Sequence, residues 1–247
     1  DLDGLLSQLV AQFGQYQRNL SQIINKKTEK LTTESKTILA DIANASPEDL
    51  TRFQQYAIEI NDITDKINQP LTTFKTLIDA YFADTHKTLI TNNETSPLLI
   101  TLDDQSGSAL IPATQLSSGE KQLLIIFLTV MLQQNSTFIL LMDEPETSLH
   151  VEWQSTFIDK IKAINPNIQI IAATHNPLIL LNREQDEIGT IVLNNSELDN
   201  DEVQIASSGT KYLDISSILL NYFGLPSLIG ADMQRDIKDF TALKLRV

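Results

Sequence analysis

An α/β fold with a long helical segment in front of it is predicted for this chain, and three observations predict it. Apolar residues recur at three- and four-residue spacing through residues 4–95. Further on, two short apolar runs, "FILLMDEPE" and "IQIIAATH", bracket an amphipathic stretch of helical length, the pattern of a strand–helix–strand unit. At 247 residues and 42% hydrophobic, the chain can also bury a substantial core.

The helical part begins with Leu5, Leu6, Leu9, Val10 and Phe13 and continues through Leu20, Ile23, Ile24, Leu31, Ile38 and Leu39, as one long helix or two in series. "NASPEDL" starts the next helix: Ser46 caps it, Pro47 takes the first helical position, and Glu48 and Asp49 suit the positive end of the dipole. That helix is expected to end near Ile67 at "NQP", with Pro70 opening a third that carries Phe74, Leu77, Ile78, Tyr81 and Phe82. From Pro97 the texture becomes β, with "PLLITLDD" and "SALIPA" around a turn near Gly107. An apolar helix over 120–133 follows. "FILLMDEPE" reads as a strand buried on both faces, 151–164 as an amphipathic helix, and "IQIIAATH" as a second buried strand. "TIVLNN" and "EVQIA" read as two more strands, and "LDISSILLNYFGL" and "ADMQRDIKDFTALKL" as terminal helices. The domains expected are a helical insertion at 1–95, an α/β core at 96–206 and a C-terminal helical segment at 207–247.

Charge and composition exclude several classes. With 18 basic and 32 acidic residues the net charge is −14, which disfavours a broad nucleic-acid-binding face. Lys26, Lys27 and Lys30 form the one basic cluster, better suited to a solvated helix face than to gripping DNA. The lack of cysteine rules out disulfides and thiolate metal sites and suits a reducing cytoplasm. No apolar run has the length of a membrane span and no basic–apolar leader opens the chain, so no membrane partner is expected. "NNSELDNDE", with Glu197, Asp199 and Asp201, reads as a solvated acidic turn.

A strand–helix–strand crossover makes its two strands parallel and brings both carboxyl ends to one edge, where open α/β sheets place ligands. Asp143 and Glu144 end the first strand and His175 follows the second. Adjacent carboxylates at such an edge suit nucleotide hydrolysis: Asp143 in the shell of Mg²⁺, Glu144 beside the attacking water as general base or orienting group. His175 can hydrogen-bond a terminal phosphate. In "QLSSGEKQLLIIF", Ser117 and Ser118 stand where a helix cap is needed, and Ser117 with Glu120 has capping-box spacing. Gly119 removes a side chain where first-turn amides could meet a phosphate.

Each of these features alone is an ordinary loop or cap. In order, "LSSGE", "ILLMDEP" and "AATH" resemble the signature, Walker B and switch-histidine motifs of the ABC-type ATPases. "DEPETSLH", with Glu146 after the proline, looks like the non-transporter branch. That branch holds RecF, SMC-like proteins, OLD-family ATPases and the ATPases of anti-phage systems such as Septu and PARIS. The resemblance implies the C-terminal part of an ABC-type P-loop NTPase head, with a mostly parallel sheet flanked by helices and a helical or coiled-coil insertion. It implies ATP and Mg²⁺ as cofactors, and Ser118 and Gly119, with Ser117 and Glu120 beside them, facing the γ-phosphate of ATP held by a partner subunit. Asp143 would serve the metal, Glu144 the water, Ser148 to His150 the loop across a dimer interface, and His175 the γ-phosphate. A head-to-tail dimer or higher oligomer of heads is expected, controlling an effector protein such as a nuclease in phage defence. A DNA-repair ATPase of RecF or SMC type and a non-catalytic scaffold are the rival readings.

One departure from the family pattern stands out. No G-x-x-x-x-G-K-[ST] loop occurs, and the glutamine that senses metal in this family has no clear counterpart in Gln15, Gln17 or Gln22. The expectation is that the phosphate-cradling loop lies ahead of Asp1 in a longer chain.

Overall fold

The computed structural model describes residues 1–91, 98–104, 107–134, 136–192, 202–206 and 208–223. Two helices form a hairpin: α1, Leu2–Ala40, and α2, Pro47–Phe82. Asp1 caps α1 through the amide of Asp3. At the start of α2, Ser46 and Asp49 exchange side-chain and backbone hydrogen bonds in a capping box with Pro47 just inside, as the sequence predicted. Lys121, in the helix that starts at Ser118, forms an ion pair with Asp3 of α1 at 2.7 Å.

The break expected at "NQP" does not occur. Pro70 lies inside α2. An interior proline costs roughly 3 kcal/mol, but Leu71, Phe74, Leu77, Ile78, Tyr81 and Phe82 are all buried just beyond it. Full burial of each large apolar side chain is worth about 1.5–3 kcal/mol, so packing outweighs the local penalty. The hairpin is unevenly buried. Leu6, Leu9, Phe13 and Tyr16 of α1 join the α2 residues beyond Pro70 in the core, whereas α2 has no buried residue before Leu71.

A three-stranded antiparallel sheet follows, made of β1 (Lys87–Ile90), β2 (Leu99–Asp104) and β3 (Gly107–Ile111), in the order β1-β2-β3. Ile100 lies opposite Leu89 on one side and Ile111 on the other. The β2–β3 pair matches the sequence reading, but β1 falls in residues read as helical. It is only four residues long, too short for alternation to register against the preceding helical pattern.

Helix α3, Ser118–Leu132, is buried along Leu123, Leu124, Phe127, Leu128 and Met131. The predicted amphipathic helix over 151–164 is two pieces, α4 (Val151–Gln154) and α5 (Phe157–Ile164). Phe127 stacks on Phe157 at 6.1 Å, and Tyr81 packs against both Phe127 and Trp153. These aromatic contacts fasten the end of α2 to α3, α4 and α5.

Strands β4 (Phe138–Asp143) and β5 (Ile168–Ala173) are hydrogen-bonded neighbours. Their carboxyl ends lie side by side, with the amide of Glu144 donating to the carbonyl of Ala173 at 2.8 Å, so the pair is parallel. Neither strand is buried on both faces as the apolar runs predicted. Alternate residues are exposed: Ile139 by 58%, Leu141 by 71% and Ile171 by 52%. A continuous apolar run records what a strand can bury, not which face is covered. Both strands pass from one of the chain's two compact units into the other, the second comprising Met142–Glu146, Gln154–Thr156 and the residues from Ala172 on.

In that second unit, β6 (Gly189–Val192) and β7 (Glu202–Ile205) form the expected antiparallel hairpin, and α6 (Ile215–Tyr222) is capped by Asp214. Thr210 is buried, its hydroxyl accepting from the Arg183 amide at 3.0 Å and donating to the Leu180 carbonyl. The acidic turn at 194–201 and the last predicted helix lie outside the described residues. No helix among the described residues is long and apolar enough to cross a membrane.

Candidate functional site

The strand ends build a compact polar cluster within the second unit. Asp143 closes β4 and is exposed. Glu144 follows with φ of +45°, in the left-handed region that non-glycine residues seldom occupy. Strain of this kind costs on the order of 1–3 kcal/mol and gathers at functional loops. From there Glu144 Oε2 reaches Nδ1 of His175 at 2.5 Å. The contact is an ion pair when the imidazole is protonated. The carboxylate of Glu144 at this distance holds the His175 imidazole above its ordinary pKa, with Glu146 adding to the effect. The ring itself is exposed.

Glu146 sits deeper. It is only 5% exposed, its Oε1 accepts from the Thr174 hydroxyl, and its Oε2 has no hydrogen-bond partner. Thr174 in turn accepts from the Asn176 amide at 3.0 Å. Asn176 donates to the Gln154 side chain at 2.8 Å, and Gln154 donates to the Glu146 carbonyl at 3.4 Å. The loop after β4 is thus held to the loop after β5 by a ring of side chains as well as by the strand pairing.

Sequence reasoning placed Asp143, Glu144 and His175 at one edge, and Glu144 and His175 do meet. It passed over Glu146, Thr174, Asn176 and Gln154. The sequence signal for Glu146 is a third carboxylate two residues after Glu144, in a loop with no regular spacing.

The helix start at α3 forms a separate cluster in the first unit. Ser117 caps the helix by accepting from the Glu120 amide, and Glu120 returns the bond to the Ser117 amide at 2.8 Å. Ser117 and Ser118 are exposed. Gly119 is buried, and a side-chain carbon there would overlap the carbonyl oxygen of Ser148. The glycine therefore admits the backbone of the "ETSLH" loop, a packing role that the sequence could not distinguish from room for a phosphate. Ser148 itself has φ of +75°, and His150 is exposed, near Glu152 at 4.0 Å.

Glu120 is buried too, but fully met. Lys87 and Thr85 each donate to its Oε1 at 2.8 Å. Burial pushes this carboxyl up, yet the Lys87, Ser117 and Thr85 donors outweigh it and hold the pKa below the ordinary carboxylate range. Its charge is consumed within the chain, capping α3 and anchoring β1.

Oxygen donors at a strand end suit Mg²⁺, and Asp143 is the exposed carboxylate that fits it. Acid pair, imidazole and parallel strand ends are the arrangement an α/β domain needs for nucleotide chemistry. Residues 17–182, more than half of the chain, match the family described as "AAA domain, putative AbiEii toxin, Type IV TA system", and the chain belongs to that family. The match takes in the "LSSGE", "DEPE" and "ATH" segments.

Curated relatives named as probable ATPases match part of the chain. The chain is 36% identical over 87 residues to "Retron Vc95 probable ATPase" of Vibrio cholerae serotype O1 biovar El Tor, covering 31% of this chain and 17% of the relative. It is 33% identical over 95 residues to "Retron Ec83 probable ATPase" of Escherichia coli, covering 34% and 17%. An "Uncharacterized ABC transporter ATP-binding protein" of Haemophilus influenzae is 44% identical over 64 residues, covering 26% of this chain and 23% of the relative. The matched segments thus span less than a quarter of each relative's length. Among solved structures, the Smc head bound to the C-winged helix domain of ScpA is similar with a TM-score of 0.41 and 17% identity, over 61% of this chain and 47% of that one. A structure concerned with ATP-driven dimerization and DNA-stimulated activation of SMC ATPases has a TM-score of 0.40 and 16% identity, over 66% and 98%.

Proposed function

We propose that this chain carries the catalytic strand ends of an ATP-hydrolysing subunit whose heads dimerise head to tail and thereby control a partner effector, a nuclease in anti-phage defence. The observation that carries the chemistry is the Glu144–His175 pair at adjacent parallel strand ends, next to Asp143, in a member of an ATPase family. Mg²⁺ held by Asp143 would neutralise charge on the phosphates. Glu144, the first residue past the strand, takes the proton of the attacking water. His175 hydrogen-bonds the terminal phosphate.

His175 engages Glu144 directly, so the base is occupied. When the imidazole turns to a γ-phosphate, the carboxylate is released to its water. Ser117, Ser118, Ser148 and His150 form the exposed surface offered to the ATP of the opposing head, with Gly119 buried behind them and Ser118 as the hydroxyl best placed at a helix start. The toxin–antitoxin wording of the family description and the retron names of the relatives support the defence setting of this reading.

Glu144→Gln in the complete protein is expected to leave ATP binding intact and lower turnover at least ~100-fold, the lower end of general-base effects. Phosphate release and nucleotide binding measured side by side test it; hydrolysis at the wild-type rate removes Glu144 from the role.

A further inference from the structure

We propose that Glu144, Glu146 and His175 form a binding site for a borderline divalent transition-metal cation, with Zn²⁺ as its representative, distinct from the magnesium site at Asp143. One ligating atom from each of the three residues lies within 4.8 Å of the other two. Proximity of acidic groups is common at protein surfaces and does not itself make a site. The second observation is Glu146: the residue is 95% buried, Thr174 fixes one carboxylate oxygen, and the other has no hydrogen-bond partner while sitting in this cluster. A buried carboxylate oxygen without a donor is costly, and a cation is the ligand that removes the cost.

The donor set decides which cation. Mg²⁺ takes oxygen ligands in near-octahedral geometry and keeps its waters. One imidazole with two carboxylates instead suits zinc and its first-row neighbours, which accept nitrogen and oxygen together at about 2.0–2.2 Å. Tetrahedral coordination at that length separates ligand atoms by about 3.4 Å, so the Glu144–His175 pair, at 2.5 Å, must open by about an ångström to admit the ion. His175 can supply that movement because its side chain is 82% exposed. The Thr174–Glu146 bond is the kind of outer-shell contact that orients a metal-binding carboxylate.

A bound transition metal would hold Glu144 away from water and His175 away from phosphate, so the same site is an off-switch for hydrolysis. That consequence rests on the ATPase reading; the binding site does not.

Calorimetric titration of the full chain with ZnCl₂, without nucleotide, is expected to show one saturable site. Glu146→Gln and His175→Ala should each weaken it at least tenfold, as even outer-shell losses cost 10–100-fold. His86→Ala should leave it unchanged, and circular dichroism checks the fold of each variant. If Glu146→Gln does not fold, exposed His175→Ala decides. No saturable binding, or binding that survives both substitutions, overturns the site. Zinc that binds wild type without slowing ATP turnover overturns the off-switch. A wild-type protein with no turnover in the absence of zinc would defeat the ATPase reading and leave the titration standing.

Discussion

Two glutamates are buried among the described residues, and the surroundings of their charges are opposite. Glu120 is met by a lysine, a threonine and a backbone amide, and its burial is part of the architecture at the start of α3. Glu146 has one hydroxyl for one oxygen and nothing for the other. A fully paired buried carboxylate holds structure together, whereas the half-paired one keeps an oxygen unmet. The comparison also separates two segments that the sequence made equally interesting: the glycine-bearing helix start is closed by its own chain, and the strand-end loop is open in its bonding.

The largest effect expected is at the paired site. Lys87→Met leaves Glu120 buried without its counter-charge and should cost about 3 kcal/mol, the low end for breaking a buried pair because Thr85 and Ser117 remain. Denaturant unfolding measures it. Next, Gly119→Ala should destabilise by about 2 kcal/mol through overlap with the Ser148 carbonyl; unchanged stability with lost ATP turnover would instead give the glycine a purely phosphate-facing role. Glu146→Gln is expected to act in the opposite direction, raising stability by about 1 kcal/mol as an unsatisfied buried charge is removed. A loss of stability like that of Lys87→Met would erase the distinction between the two glutamates.

The smallest effects are those of pH, and their signs differ between the two sites. Glu120 has a lowered carboxyl pKa, so its contribution is present above the unfolded value of about 4.3 and fades as pH falls through the folded one. His175 has a raised pKa, so its contribution is complete below about 6.5 and fades as pH rises through the folded value. A histidine NMR titration should place the His175 midpoint above 6.5, returning toward it in Glu144→Gln. A midpoint unmoved by that substitution would dissolve the pair.

Local chemistry was readable in the residues themselves. Ser46 and Ser117 announce helix starts because a cap needs only the next few residues, and both capping boxes form. Asp143, Glu144 and His175 could be assigned to one edge because the handedness of a crossover is nearly fixed. What stayed hidden depends on distant residues. Thr174 meets Glu146 only because β4 and β5 pair, and Lys87 meets Glu120 across a strand too short to foresee. Pro70 looked like a terminator because the local cost of proline is plain in sequence, while the compensating burial of Phe74 and Ile78 is not. Ile139 and Leu141 looked interior because an apolar run cannot say which side of a sheet is covered.

Pro70 has one more effect. With no amide hydrogen to give, it leaves the carbonyl of Lys66 without its usual helical partner, at the point where α2 passes from its exposed length to its anchored end. A rod bends most easily at its weakest cross-section. The hairpin is therefore a lever whose compliance is concentrated at its root, and a pull on its far end would be felt first at that joint.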